Sequence, residues 1–346
     1  MRSEGAVQAI VVIRSVMHRC FSALALRLAI AAAAALLLAS CGGRAGRAGT
    51  RAPDVAAVPS GPYLVVLGTA QDGGYPQAGT KPGTAWSAER RRYVTSLALV
   101  DPVTRERWLF EATPDFREQL HELDRLAPVE AAAPALAGIF LTHAHVGHYT
   151  GLIHLGHEVI GARGVPVFAM PRMRAFLGAN GPWDQLVRFG NIEVRELADG
   201  APVRLNERLS VTPFLVPHRD EYSETVGYRI TGPARTVIFL PDIDKWERWE
   251  EQGTRIEAVV GGADVAYLDG TFYRAGEVPG RAMAEIPHPF VEETMRRFAR
   301  VSASERAKIR FIHLNRTNPV AFATAERRAV ERAGFRVAEL LEILPL

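Results

Sequence analysis

Leu141-Thr142-His143-Ala144-His145-Val146-Gly147-His148-Tyr149-Thr150-Gly151 gathers three of the chain's ten histidines within six residues. Imidazole is the commonest zinc ligand, and three such nitrogens on one short loop can hold one metal or share two. The apolar run before them, Ala137 to Leu141, reads as a short buried strand. At the end of a strand His143 and His145 project the same way, because side chains two apart share a face. His148 follows on the next turn and reaches round from another side. His154 and His157 lie beyond this loop, on a stretch from Thr150 to Glu158 that reads as a helix, and are expected to be surface or packing residues.

The rest of the chain must bring partners to this cluster. Buried strands are expected at Tyr63 to Gly68, Val94 to Val100, Arg107 to Phe110, Val165 to Met170, Ile192 to Arg195, Arg208 to Val216, Thr225 to Ile230, Thr236 to Leu240, Asp264 to Leu268 and Ile309 to Leu314. Helices are expected after Thr113-Pro114-Asp115, over Lys245 to Glu251, and after Pro287-His288-Pro289. Five of the strands run directly into a residue that can ligate a metal: His143, His218, Asp242, Asp269 and His313. Strand ends on one rim of a sheet meet in space however far apart they lie in sequence, and α/β folds build their sites there. The loop Thr69 to Gln77, with Gly73 and Gly74, lacks the Gly spacing and Lys of a phosphate-binding loop.

Of 346 residues, 1–41 read as an export signal: Arg19 and Arg27, the Ala/Leu run Leu28 to Leu38, then Leu38-Ala39-Ser40-Cys41, which looks like a bacterial lipobox with Cys41 as the lipidated residue. Met17 would give a signal of ordinary length. Residues 42–60 form a Gly/Ala/Arg/Pro-rich tether, and 61–346 fit one large α/β domain. The only cysteines are Cys20 and Cys41, so the body holds no disulfide and no thiolate metal site. Any metal rests on His and carboxylate. The net charge of +3 is spread along the chain and gives no argument for nucleic acid. The expected partners are a small-molecule substrate and, through the lipid anchor, a membrane on the periplasmic side. Substrate and oligomeric state are left open, since the loops Arg172 to Asn191 and Arg274 to Glu285 carry no readable code.

The chain resembles the metallo-β-lactamase superfamily. The family's His-x-His-x-Asp-His motif matches His143-Ala-His145-Val-Gly147-His148, with Gly147 in place of the aspartate, and the later ligands match His218, Asp242 and His313. Within the superfamily it is most similar to relatives of pyrroloquinoline-quinone biosynthesis protein B. That likeness rests on Val66 to Gln77, Ala112 to Gln119, Asp269-Gly270-Thr271-Phe272 and Ile312 to Pro319. It departs from that protein in its lipoprotein signal, in lacking cysteines in the early loop, and in keeping His143 and His145. The resemblance implies an αββα sandwich of two mixed β-sheets flanked by helices.

It also implies that His143, His145 and His218 hold one metal, that His148 and His313 hold a second, and that Asp242 bridges them. A carboxylate can span cations about 3.5–4 Å apart, and a metal-bound water acidified to about pH 7 is a nucleophile. The expected activity is hydrolysis of an ester, lactone or phosphodiester. One or two Zn2+ are expected, with Fe or Mn admissible at the second site, which lacks the aspartate at position 147. His288, between two prolines at a helix start, is the candidate for polarising or protonating the reacting group. Asp72, Asp115, Asp269 and Asn315 are expected behind the ligands or on substrate loops, and Arg219 and Tyr222 at the mouth. The alternatives are an oxygen-dependent iron enzyme, since two His and one carboxylate suit non-haem iron, and a non-catalytic relic.

Overall fold

A computed structural model describes residues 58–130, 134–278, 280 and 286–346. The export signal, Cys41, the possible start at Met17 and most of the tether lie outside the described residues, as do parts of the Arg274 to Glu285 loop. No helix among the described residues is long and apolar enough to cross a membrane.

The first strand, β1 (Tyr63–Gly68), shows how the layers arise. It is buried along its whole length. Its alternate residues enter different cores: Tyr63, Val65 and Leu67 pack outward under helices, while Leu64 and Val66 pack inward against the other sheet. A strand covered on both faces is a continuous apolar run for this reason. β2 (Ser96–Asp101), β3 (Glu106–Phe110), β4 (Gly138–Phe140), β5 (Val165–Ala169) and β6 (Ile192–Glu196) continue the first sheet. β7 (Val203–Arg204), β8 (Ser210–Leu215), β9 (Val226–Thr231), β10 (Thr236–Leu240), β11 (Val265–Asp269), β12 (Ile309–Ile312) and β13 (Arg336–Val337) form the second, and β14 (Ile343–Pro345) returns to the first.

Each sheet has seven strands, in the orders β14-β1-β2-β3-β4-β5-β6 and β13-β12-β11-β10-β9-β8-β7. Both are mixed: β3 to β6 and β10 to β13 are parallel, and the remaining pairs antiparallel. Between the sheets, Phe110, Phe140 and Phe168 of the first meet Tyr228 and Phe239 of the second. Helix α1 (Phe116–Leu126) covers the outer face of the first sheet with Phe116, Leu120 and Leu123. Trp246 and Trp249 of a short helix, Trp246–Glu251, cover the outer face of the second. The result is the expected four-layer αββα sandwich.

Candidate metal centre

The residues after β4 are tied across to the second sheet. The Val226 amide donates to Thr142 O at 3.2 Å and the Ala144 amide to Ser223 Oγ at 2.8 Å, and the Tyr228 hydroxyl donates to Leu141 O. His148 follows on a single helical turn, α2 (Val146–Tyr149), with His145 at its N-cap. From the other sheet, β8 leads to His218, β10 to Asp242 and β12 to His313. The Asp244 amide donates to Pro217 O at 2.7 Å and locks two of these exits together. His313 and Glu111 adopt φ of +63° and +78°, a left-handed conformation that side chains other than glycine rarely take.

Three groups of ligand atoms converge among the described residues, the third being Asp242, Asp269 and His288. In the first, His145 Nδ1 lies 2.8 Å from His143 Nε2 and 3.3 Å from His218 Nε2. Asp242 joins it, with Oδ2 3.5 Å from His143 Nε2 and Oδ1 3.4 Å from His218 Nε2. The second group is Asp72, His148 and His313. Asp242 Oδ2 faces this group too, 3.6 Å from His148 Nε2 and 3.9 Å from His313 Nε2, so one carboxylate stands between both. Asp72 Oδ1, His148 Nε2 and His313 Nε2 are buried and make no hydrogen bond within the chain. Buried polar atoms are normally paired, and orphans that face one another suit a cation. The donor set therefore fits one or two metal ions.

Each ring is also held from behind. Thr142 Oγ1 lies 2.9 Å from His143 Nδ1, Glu111 Oε1 3.3 Å from His148 Nδ1, and Asp244 Oδ1 3.2 Å from His218 Nδ1. Thr271 Oγ1 lies 2.9 Å from His313 Nδ1, and Glu221 Oε2 3.2 Å from His145 Nε2. Such partners fix which ring nitrogen faces the metal. The charges follow. Burial and the cationic neighbour His148 hold His143 well below the usual imidazole range. Burial also pulls at His148, but Glu111, Asp242 and Asp72 outweigh it and hold that ring well above the range. His218 is raised to about 9, burial being overcome by Asp242 and Asp244. Burial opposes ionisation of Asp72 and Asp242, yet the surrounding imidazoles hold both well below the usual carboxylate range.

The sequence profile of the beta-lactamase superfamily domain matches residues 106–313, more than half of the chain. The chain belongs to this superfamily. It is 27% identical over 298 residues to coenzyme PQQ synthesis protein B of Ruegeria pomeroyi, covering 80% of this chain and 97% of that protein. The structure of zinc-bound PqqB from Methylobacterium extorquens superposes with a TM-score of 0.68 at 26% identity, covering 82% of this chain and all of that one. A diphosphatase of the PhnP family shares the fold, with a TM-score of 0.56 at 19% identity, over 82% of this chain and 96% of that one.

The structure brings together His143, His145, His148, His218, Asp242 and His313, the residues that the family resemblance implied. His288 arrives beside them, with Nδ1 2.9 Å from Asp269 Oδ2 and 3.1 Å from Asp242 Oδ1. Asp269 faces His288 with one oxygen, and its other oxygen accepts from the Thr271 amide and hydroxyl at 2.8 and 2.7 Å. Asp115 accepts from the Val94 amide at 2.8 Å and braces the loop after β1. Asn315 clamps the same loop through Gln71. Arg219 reaches His145 Nε2 at 3.4 Å, and Tyr222, 63% exposed, packs on Phe176 at the rim. Asp72 departs from its expected place: its Oδ1 faces His148 Nε2 at 3.2 Å and His313 Nε2 at 3.7 Å, among the convergent atoms and not behind them. Sequence reasoning missed Glu111, whose signal was a lone acid following an apolar strand. His154 packs flat on Phe116 at 5.9 Å and His157 Nδ1 lies 3.2 Å from Asn191 Oδ1, both in packing roles.

Proposed function

We propose that this chain is a metal-dependent hydrolase of an ester, lactone or phosphodiester bond, tethered to the periplasmic face of a membrane through Cys41. The observation that carries the reading is the position of Asp242, between the converging nitrogens of His143, His145 and His218 on one side and the buried Asp72, His148 and His313 ligand atoms, which make no hydrogen bond, on the other. His143, His145, His218 and Asp242 would hold one metal, and His148 and His313 with Asp242 the other; the zinc in the PqqB relative favours zinc. When bound, the metals supply Lewis-acid polarisation and an acidified water.

The chain's own contribution is orientation and proton placement. Thr142, Glu111, Asp244 and Thr271 hold the outer ring nitrogens of His143, His148, His218 and His313 and so orient the inward nitrogens toward a cation, which on binding displaces the protons that His148 and His218 carry. Against the pull of burial, Asp269 and Asp242 keep His288 protonated well above the usual imidazole range. A cationic imidazole beside Asp242 can donate to negative charge developing on a scissile group. The test is turnover of a panel of esters, lactones and phosphodiesters by the zinc- or manganese-loaded full chain. Single His145→Ala and Asp242→Ala variants should lose turnover by several orders of magnitude; hydrolysis retained by the double variant refutes the reading. For the tether, Cys41→Ala should move the protein from the membrane pellet to the soluble fraction, and an unchanged pellet refutes lipidation.

A second reading is favoured by Asp72, His148 and His313 themselves. Two His and one carboxylate suit a mononuclear iron site of an oxygen-dependent enzyme. Turnover that requires ferrous iron and oxygen separates it from hydrolysis, which proceeds anaerobically.

A further inference from the structure

The second group of ligand atoms has an unusual origin. The His148 turn carries glycine at the position immediately before the histidine, so that turn offers no carboxylate of its own. A β-carbon at Gly147 would lie 2.2 Å from Asp72 Oδ1 and 2.6 Å from Asp72 Cα. The volume of a side chain at 147 is thus already filled, by a carboxylate from a segment 75 positions earlier. Gly147 has an ordinary backbone conformation, absent from the positive-φ glycines, so glycine is required here for space and not for φ.

The loop that brings Asp72 is built into both sheets. Ala70 bridges Val94 on one side and Leu314 on the other. The Gln71 amide donates to Leu314 O at 3.0 Å and the Leu314 amide to Thr69 O at 2.8 Å. Leu314 adjoins His313, so the exit of β1 and the exit of β12 are stitched together one residue away from a ligand on each. The Gly74 amide closes the turn onto Gln71 O at 2.8 Å. Asp72 therefore reaches the centre on a braced loop, and its Oδ1 is one of the buried atoms without a hydrogen bond.

We propose that Asp72 is a direct ligand of the second metal, delivered by the loop after β1 into the space that Gly147 vacates. The proposal rests on the metal reading above but not on hydrolysis. It makes positions 72 and 147 mutually exclusive: a side chain at 147 must displace Asp72, because the contact includes the Asp72 backbone and cannot be relieved by a rotamer. The second site then holds Asp72, His148 and His313, with Asp242 shared.

The experiment is metal content and affinity of the full chain in detergent, by elemental analysis after equilibration with zinc and by competition with a chromophoric chelator. Wild type should hold two zinc ions. Asp72→Asn keeps the shape and should weaken one of the two by about a hundredfold, since outer partners of metal ligands alone are worth about 10–100-fold. Gly147→Ala leaves Asp72 in the sequence yet should weaken the same ion, by pushing the loop away. An Asp72→Asn chain whose zinc-free melting temperature matches wild type shows that the fold is intact. The proposal is overturned if wild type holds a single zinc, or if both variants keep two at wild-type affinity. Two zinc ions lost as described, without turnover on any substrate, would leave Asp72 standing and remove the hydrolase; turnover with one zinc would do the reverse.

Discussion

Each imidazole at this centre has one nitrogen turned inward and, on the other side, a fixed partner from its own or a neighbouring strand. That arrangement sets a pH dependence. His218 is raised to about 9: burial opposes its charge, but Asp242 and Asp244 more than offset it. At pH 7.5 the metal-free ring therefore carries a proton that a metal must displace. Below that pKa each pH unit multiplies the deprotonated fraction by about ten, so zinc affinity should rise about tenfold from pH 7 to pH 8. Calorimetry in two buffers of different ionisation enthalpy should show net proton release at pH 7.5. Affinity that is flat with pH would contradict the assigned charge states. The ligands themselves were legible, because His143, His145 and His148 sit on one short loop and His218, Asp242 and His313 each close a strand. Asp72 was legible only as a supporting or loop residue, and Glu111 was not legible at all. Their proximity to His148 depends on bridges such as Ala70 to Leu314 and on the left-handed turn at Glu111, which no local spacing encodes.

The strands that aim these residues were readable from their apolar runs, and the short elements were not. β7 has two residues, and the helices Ile256–Gly261 and Ala303–Ala307 are too short for a helical period to register. The stretch expected as a helix from Thr150 is a 3-10 helix, Thr150–Leu155. Gly151 packs so closely that a β-carbon there would lie 2.1 Å from Thr113 O, which places tertiary packing above local preference. At this scale the decisive element is β4. Phe140 stacks on Phe168 at 4.3 Å and on Phe110 at 5.2 Å, and meets Tyr228 edge-on at 5.6 Å. It lies three residues before His143, so it sets both the join of the sheets and the aim of the loop. Phe140→Ala should destabilise the fold by about 3–5 kcal/mol in denaturant titration. It should also weaken zinc binding by loosening Leu141 to His145. Val103→Ala, at a turn position 67% exposed, should stay within about 0.5 kcal/mol of wild type. Equal costs for the two substitutions would contradict the packing argument.

Across the whole sandwich the ligands divide by sheet: Asp72, His143, His145 and His148 come from the first, His218, Asp242 and His313 from the second. Metal ions held by this set cross-link the two halves at one rim. The opposite rim is closed without metal, because Asn206 Nδ2 donates to Asp101 Oδ2 at 3.1 Å and to Glu106 Oε2 at 3.0 Å, and Arg208 pairs with Asp101. Those residues lie where β2 ends, β3 begins and β8 begins, at the far ends of strands that lead toward the site. Removing metal should therefore loosen one end of the molecule and leave the other in place. A ligand present at 100 times its dissociation constant contributes about 2.7 kcal/mol, which for a domain of this size is a melting shift of about 4–5 °C. Chelation should lower the melting temperature of the full chain by that amount, and His145→Ala should show a smaller drop because one ion is already lost. Hydrogen exchange should rise after chelation in the loops carrying Asp72, His143 to His148 and His218, while the turn between Asp101 and Glu106 keeps its protection. Uniform loosening of both rims would mean that the metals stabilise the sandwich through its core and not as a clamp at one edge.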